Sequence, residues 1–270
     1  MEVRPAGKGM GRVIAVASQK GGVGKTTTAI NLGACLAQEG RRVLIVDVDP
    51  QGNATSGLGL NGNDQPRGVY EALLGEISPR DAIDQTSLSN LDVIGAGQRL
   101  SGAEIELVGV DSRESRLREV LRELRDEYDF IFIDSPPSLG LLTLNALVAA
   151  DSVLIPLQSE YLALEGLTQL VGAIRRIQES LNPALRIEGV LLTMYDARLN
   201  LSQQVAQEAR KFFAERVYQS MIPRNVRLSE APSFGKPIVL YDPHSSGADS
   251  YRELAREVLE HAEEGARTRA

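Results

Sequence analysis

Residues 20–28 read KGGVGKTTT, nine positions that hold two lysines, three glycines and three threonines. Such a run suits a polyphosphate. Gly21, Gly22 and Gly24, with Val23 between them, let the backbone turn tightly and bring its N–H groups onto phosphate oxygens. Lys25 can reach β- and γ-phosphates, the Thr26 hydroxyl can ligate Mg2+, and Thr27 is placed to bond the α-phosphate. The usual phosphate-loop pattern, G-x-x-x-x-G-K-[ST], asks for a glycine five residues before Gly24, where this chain has Gln19. The loop is therefore a variant, and Lys20 is a second lysine that needs a role.

A metal bound to phosphates needs a carboxylate. In DFIFIDSPP, the apolar run Phe130–Ile133 delivers Asp134 to the C-terminal edge of a buried strand, where it can hold a Mg2+-bound water beside Thr26. In VLIVDVDPQGN, Asp47 and Asp49 share one side of an extended segment. Asp49 lies where strand gives way to loop, a place where an aspartate also serves as helix cap or turn former. His244 and His261 fall outside every motif and are expected at the surface.

The elements that must position these residues alternate short β-rich runs with longer helical patterns, as a parallel sheet covered by helices requires. Strands are expected at Val13–Ala17, Val43–Asp47, Leu91–Ile94, Phe130–Asp134, Ser152–Leu157 and Ile187–Thr193, with a shorter one near Val217–Ile222. Helices are expected at Thr27–Gln38, Ser112–Tyr128, Leu141–Ala149, Glu160–Ser180, Ser202–Ala214 and Tyr251–Glu260, and a loop at Gly52–Gly68. The fold class is α/β: a mostly parallel twisted sheet with helices on both faces. KGGVGKTTT follows the first strand and opens the first helix, the context a phosphate-binding P-loop requires. The expected organisation is an N-terminal arm over 1–11, one P-loop domain over 12–263 and a frayed tail over 264–270.

With 270 residues and 43% hydrophobic content, the chain can bury the core of one large α/β domain. Its one cysteine, Cys35, excludes an intrachain disulfide framework. No apolar run approaches the roughly 18 residues of a membrane span, and MEVRPAGKGMGR lacks a signal peptide's apolar stretch, so a soluble cytoplasmic protein is expected. The net charge of −7 argues against a polyanionic partner, but its distribution is uneven. From Arg198 to Lys236, seven basic residues face three acidic ones, leaving −11 on the rest of the chain. A local +4 is on composition alone most often a solvated surface.

Taken together, QKGGVGKTTTAINL, VDVDPQGNAT, DFIFIDSPPSLG, EYLALEGL and MIPRNVRLSEAPSFGKPI resemble the ParA/Soj chromosome- and plasmid-partitioning ATPases, over nearly the whole chain from Arg12 to Glu260. These are P-loop ATPases of the deviant Walker A (MinD/ParA) type. The resemblance implies a cytoplasmic, nucleoid-associated ATP hydrolase, Mg2+-dependent and slow on its own, that forms a sandwich homodimer with ATP. Lys20 would cross to the partner subunit's ATP, where its charge would act as an arginine finger does. Asp49 would position or activate the attacking water, Asp134 would be the Walker B aspartate, and Pro223 with Asn225 would lie near the adenine. Arg198, in MYDARLN, and Arg227, in RNVRL, match positions implicated in non-specific binding of double-stranded DNA, which rests on phosphate neutralisation. A ParB/Spo0J-like centromere-binding protein would stimulate hydrolysis and release.

Three alternatives stand beside this. One is a MinD-like division-site or other cargo-positioning ATPase; the MinD-like regulator needs a C-terminal amphipathic helix for the membrane, and EVLEHAEEGARTRA is acidic and poor in bulky apolar residues. A nitrogenase-iron-protein-like reductase needs two cysteines per subunit. A nucleotide-sensing module without turnover is disfavoured by Asp49 and Asp134. The 19 residues before Lys20 also leave no room for a helix-turn-helix, so the short, Soj-like form is expected.

Overall fold

Buried apolar runs set the strands, save the part-exposed Ile83–Gln85 at one sheet edge. In a computed structural model, which describes residues 11–61, 67–160 and 163–267, they are β1 (Arg12–Val16), β2 (Val43–Asp47), β3 (Ile83–Gln85), β4 (Leu91–Ile94), β5 (Phe130–Asp134), β6 (Ser152–Gln158) and β7 (Arg186–Thr193). The order across the sheet is β3-β4-β2-β5-β1-β6-β7, with β3 antiparallel to β4 and every other pairing parallel. The helices are α1 (Lys25–Gln38), α2 (Asn53–Gly57), α3 (Val69–Leu74), α4 (Leu100–Glu106), α5 (Arg116–Arg122), α6 (Leu141–Ala149), α7 (Ala163–Ser180), α8 (Asn200–Phe213), α9 (Val226–Glu230), α10 (Ile238–Tyr241) and α11 (Ser246–Arg267).

Alternation along the central strands fills two cores. Val13, Ala15, Leu44, Val46, Ile131 and Ile133 pack under α3 to α8. Ile14, Val16, Val43, Ile45, Phe130 and Phe132 pack under α1, α10 and α11. Because both faces are covered, the strands read as continuous apolar runs. Side-chain hydrogen bonds tie α1 to the C-terminal helices: Asn31 Nδ2 donates to the Thr27 carbonyl at 2.8 Å while its Oδ1 accepts from the Ile238 amide at 2.7 Å. The Thr28 and Tyr251 hydroxyls are 3.2 Å apart.

Register brings the chemistry to one edge. Asp134 is level with Val16 of β1 and with Asp47 of β2. The loop after β1, the loop after β2 and the end of β5 therefore share the C-terminal edge of the sheet, where such folds bind ligands.

Several expected elements differ. Val217–Ile222 is no strand: the Tyr218 and Ile222 amides reach β7 carbonyls, but those of Gln219 and Ser220 turn away to the Glu257 carboxylate. The helix expected over Ser112–Tyr128 is confined to α5: Ser112, at φ 55°, cannot begin a right-handed helix, Arg113–Ser115 form a tighter 3-10 turn, and the α-helix ends at Arg122. The stretch expected as a loop at Gly52–Gly68 contains α2, and residues 62–66 of it lie outside those described. α1 starts two residues early because Gly24, at φ 91°, serves as its N-cap. The helix expected at Tyr251–Glu260 is longer, as α11 runs over Ser246–Arg267. Apart from Gly11, the N-terminal arm lies outside the described residues, as do 268–270 of the tail. Among the described residues no helix is long and apolar enough to cross a membrane.

Candidate functional site

The loop Lys20–Gly24 turns through left-handed glycines at Gly22 (φ 74°) and Gly24 (φ 91°), a conformation that disfavours any side chain. A Cβ on Gly21 or Gly22 would meet nothing within 4 Å, so the backbone lies open on that side. α1 begins at once with Lys25, and its first-turn amides and dipole favour an anion. The Thr193 hydroxyl, at the end of β7, donates to the Val23 carbonyl at 2.8 Å and pins the loop from behind. Lys25 is buried, and desolvation lowers its pKa against the opposing pull of Asp134 and Asp49.

Two carboxylates, Asp134 and Asp49, stand beside this lysine and a third, Asp47, beside Asp134, each in a different state. Asp134 is fully buried and neither of its oxygens has a hydrogen-bond partner among the described residues. Burial and the charge of Asp47 raise its pKa well above the ordinary range, opposed by the nearby Thr26 hydroxyl and Lys25. A buried carboxylate whose charge is only partly offset, next to a threonine hydroxyl and a phosphate-type loop, fits a hydrated divalent cation. Asp47 is saturated instead. Its Oδ1 accepts from the Asp49 amide at 3.1 Å, and its Oδ2 accepts from the Thr55 amide at 2.9 Å and the Thr55 hydroxyl at 2.8 Å. Burial still pushes its pKa up to about 6. Asp49 is also buried, and its Oδ1 accepts from the Gln51 amide at 3.0 Å. It does form a turn, as one reading of the sequence has it, yet it also stands close enough to Lys25 to act on its charge.

Lys20 does not point into its own phosphate loop. Its ammonium is 2.6 Å from Glu160 Oε2, while Glu160 Oε1 accepts from Gln158 Nε2 at 2.6 Å. Pro223 bridges to Tyr195, two residues beyond Thr193, so the IPRN segment comes close behind the phosphate loop. Asn225 caps α9, its Oδ1 accepting from the Arg227 amide at 2.8 Å, and its Nδ2 donates to Ser246 Oγ at 2.8 Å. Arg198 and Arg227 lie a few residues past that bridge on the two neighbouring segments. Both are already paired. Arg198, 87% exposed, is held bidentately by Asp196 at 2.9 and 2.7 Å. Arg227 meets Glu230 at 2.9 Å and Asp242 at 3.4 Å. His244 and His261 are exposed, as expected.

Sequence reasoning therefore brings together Lys25, Thr26, Asp49 and Asp134, and misses Thr55, Glu160 and Asp196. Only Asp196 carried a local signal, an aspartate two residues before an arginine.

A protein-family profile described as an AAA domain matches residues 11–187. The sporulation initiation inhibitor protein Soj of Bacillus subtilis is 60% identical over 249 residues, covering 92% of this chain and 98% of that protein. The chromosome partitioning protein ParA of Myxococcus xanthus is 57% identical over 93% of this chain and 88% of its own length. Among solved structures, the cobyrinic acid a,c-diamide synthase of Mycobacterium smegmatis, bound to an ATP analogue and magnesium, superposes with a TM-score of 0.85 at 40% identity, over 94% of this chain and 96% of that one. With a P-loop at the C-terminal edge of a mostly parallel, doubly covered sheet and these relatives along nearly its full length, the chain belongs to the ParA/Soj family of chromosome-partitioning ATPases.

Proposed function

We propose that this protein segregates a chromosome or plasmid by cycling between an ATP-bound sandwich dimer that binds double-stranded DNA without sequence preference and a released subunit. The observation that carries the chemistry is the meeting of buried Lys25, buried Asp49 and the unpartnered Asp134 at one strand edge. The backbone from Gly21 to Gly24 cradles the phosphates, Lys25 neutralises charge on the β- and γ-oxygens, and Thr27 bonds the α-phosphate. Thr26 and, through water, Asp134 would hold Mg2+, which when bound offsets the charge that develops on the transferring phosphoryl group. Asp49 orients the attacking water and accepts its proton. The partner's Lys20 supplies a second positive charge to the γ-phosphate across the interface. Pro223 and Asn225 flank the base.

On the outer surface, Arg198 and Arg227 meet DNA phosphates, and a dimer presents each of them twice. Phosphate must displace Asp196, Glu230 and Asp242 to do so. A centromere-binding protein of the ParB/Spo0J type stimulates hydrolysis, and the dimer then leaves the nucleoid. The domain spans 12–263.

The test measures ATPase rate with DNA, with the candidate partner and with both. Synergy of the two is expected. A rate indifferent to DNA and partner together would remove the segregation cycle while leaving nucleotide binding intact.

A further inference from the structure

The loop that carries Asp49 is held at both ends by one buried carboxylate. Asp47 takes the Asp49 amide on one oxygen, and the Thr55 amide and hydroxyl on the other. Between those points the loop closes on itself, with the Gln51 amide on Asp49 Oδ1 and the Gly52 amide on the Asp49 carbonyl at 2.9 Å. The Thr55 hydroxyl does a second thing: it accepts from the Ala96 amide at 2.8 Å, just past the end of β4. Gly52 leans on the same residue, since a Cβ there would lie 3.0 Å from the Ala96 carbonyl oxygen. Thr55 itself is wholly buried and so cannot reach a nucleotide.

We infer that Thr55 is a positioning residue for ATP hydrolysis: it fixes the Asp47 carboxylate, and through it the Asp49 backbone, against the β4 edge. The inference rests on the role of Asp49 proposed above. Its chemistry is specific, because the position must donate to a carboxylate and accept from an amide with the same atom. Serine and threonine do both; valine, of matching shape, does neither. Loss of the clamp breaks no bond to the phosphate loop, since none of the clamp's bonds involves residues 20–28. Binding and turnover should therefore separate.

The experiment compares Thr55→Val and Thr55→Ser in the full chain. It follows affinity for a fluorescent ATP analogue with Mg2+, steady-state turnover with DNA, and hydrogen exchange at the Asp49 and Thr55 amides. The Val variant should bind nucleotide within about threefold of the parent but turn over about 10- to 100-fold more slowly, the range expected when a catalytic group is misplaced by a fraction of an ångström to an ångström. The two amides should exchange faster, and the Ser variant should recover both properties. Parental turnover in Thr55→Val overturns the inference, as does a loss of nucleotide affinity in step with turnover, which would mark a purely structural residue. Should Thr55→Val fail to fold, Thr55→Cys keeps the volume and a weak donor; it must show slowed turnover with affinity retained, and parental turnover there is equally fatal. Asp49→Ala tests the underlying reading alone. If that variant hydrolyses normally, the role of Asp49 falls, whereas an inactive Asp49→Ala beside a fully active Thr55→Val sinks only the clamp.

Discussion

Replacing Glu160 by glutamine should make ATP-dependent dimerisation easier. In the single subunit Lys20 is tied to Glu160 at 2.6 Å, and a lysine cannot serve a neighbour's γ-phosphate while held at home. The proposed dimer must break two such pairs. The side chains are 35% and 47% exposed, so solvent screens the pair and its worth is about 0.5 kcal/mol, at most about 1. Two pairs then oppose assembly by about 1–2 kcal/mol, or about 5- to 30-fold in the association constant. The glutamine keeps an oxygen for the Gln158 amide, so local geometry should survive.

Light scattering across a concentration series, with a slowly hydrolysed ATP analogue, reads the constant directly. The gain should shrink between 0.1 M and 1 M salt as the screening length falls from about 10 to 3 Å. It should also vanish in acid. The Lys20 hydrogen bond holds the Glu160 carboxyl below its ordinary pKa, so the restraint is present at neutral pH and is lost as pH falls through that lowered value. An unchanged association constant would refute the restraint. A weaker dimer would mean that Glu160 itself serves the interface. Lys20→Ala is the control: it should bind nucleotide through Lys25 yet dimerise poorly, and normal dimerisation by it would remove the trans role altogether.

Asp49→Ala should bind ATP with near-parental affinity, lose about 100-fold or more in turnover and accumulate as dimer; gel filtration with ATP checks the last point. Replacing Arg198 and Arg227 together by glutamate should abolish duplex binding at low salt without changing dimerisation, and in the parent the log–log salt slope should report about 0.9 per phosphate neutralised. Asp196→Asn should raise duplex affinity by about two- to fivefold, because the bidentate carboxylate on Arg198 no longer competes with phosphate. Without nucleotide, Asp134→Asn should melt above the parent at neutral pH. The pKa of Asp134 is raised in the fold, so its ionisation costs stability as pH rises and costs nothing in acid; the gap between the two melting curves should close as pH is lowered. A constant gap across pH would mean that the buried charge is already compensated.

What the sequence discloses depends on how far apart the partners lie. The phosphate loop is contiguous, so glycines, lysine and threonines announce themselves, and Phe130–Asp134 needs only strand geometry to deliver its carboxylate. Lys20 and Glu160 are separated by 140 residues, and Thr55 from Ala96 by 41; nothing in local spacing connects them. α2 escaped for the same reason, since its Thr55 amide is claimed by a carboxylate on another element and not by helix propensity. Val217–Ile222 has strand composition, but Glu257, on α11, takes two of its amides. Asp196 sits two residues from Arg198, yet only side-chain conformation decides whether neighbours of opposite charge close into a pair.

The matched family profile stops at residue 187, and every residue proposed to touch the nucleotide's phosphates or the metal precedes that point. The bonds that steady the first helix do not. Thr193 carries the hydroxyl that pins Val23, Ile238 the amide received by Asn31, and Tyr251 the ring hydroxyl beside Thr28. A fragment ended at the profile's border would keep the whole phosphate-binding vocabulary and lose the frame that makes it legible to a ligand. Drift at buried positions of α10 and α11 would accordingly register as altered nucleotide affinity, and protease attack on the C-terminal helices should slow when the phosphate loop, at the far end of the primary sequence, is filled.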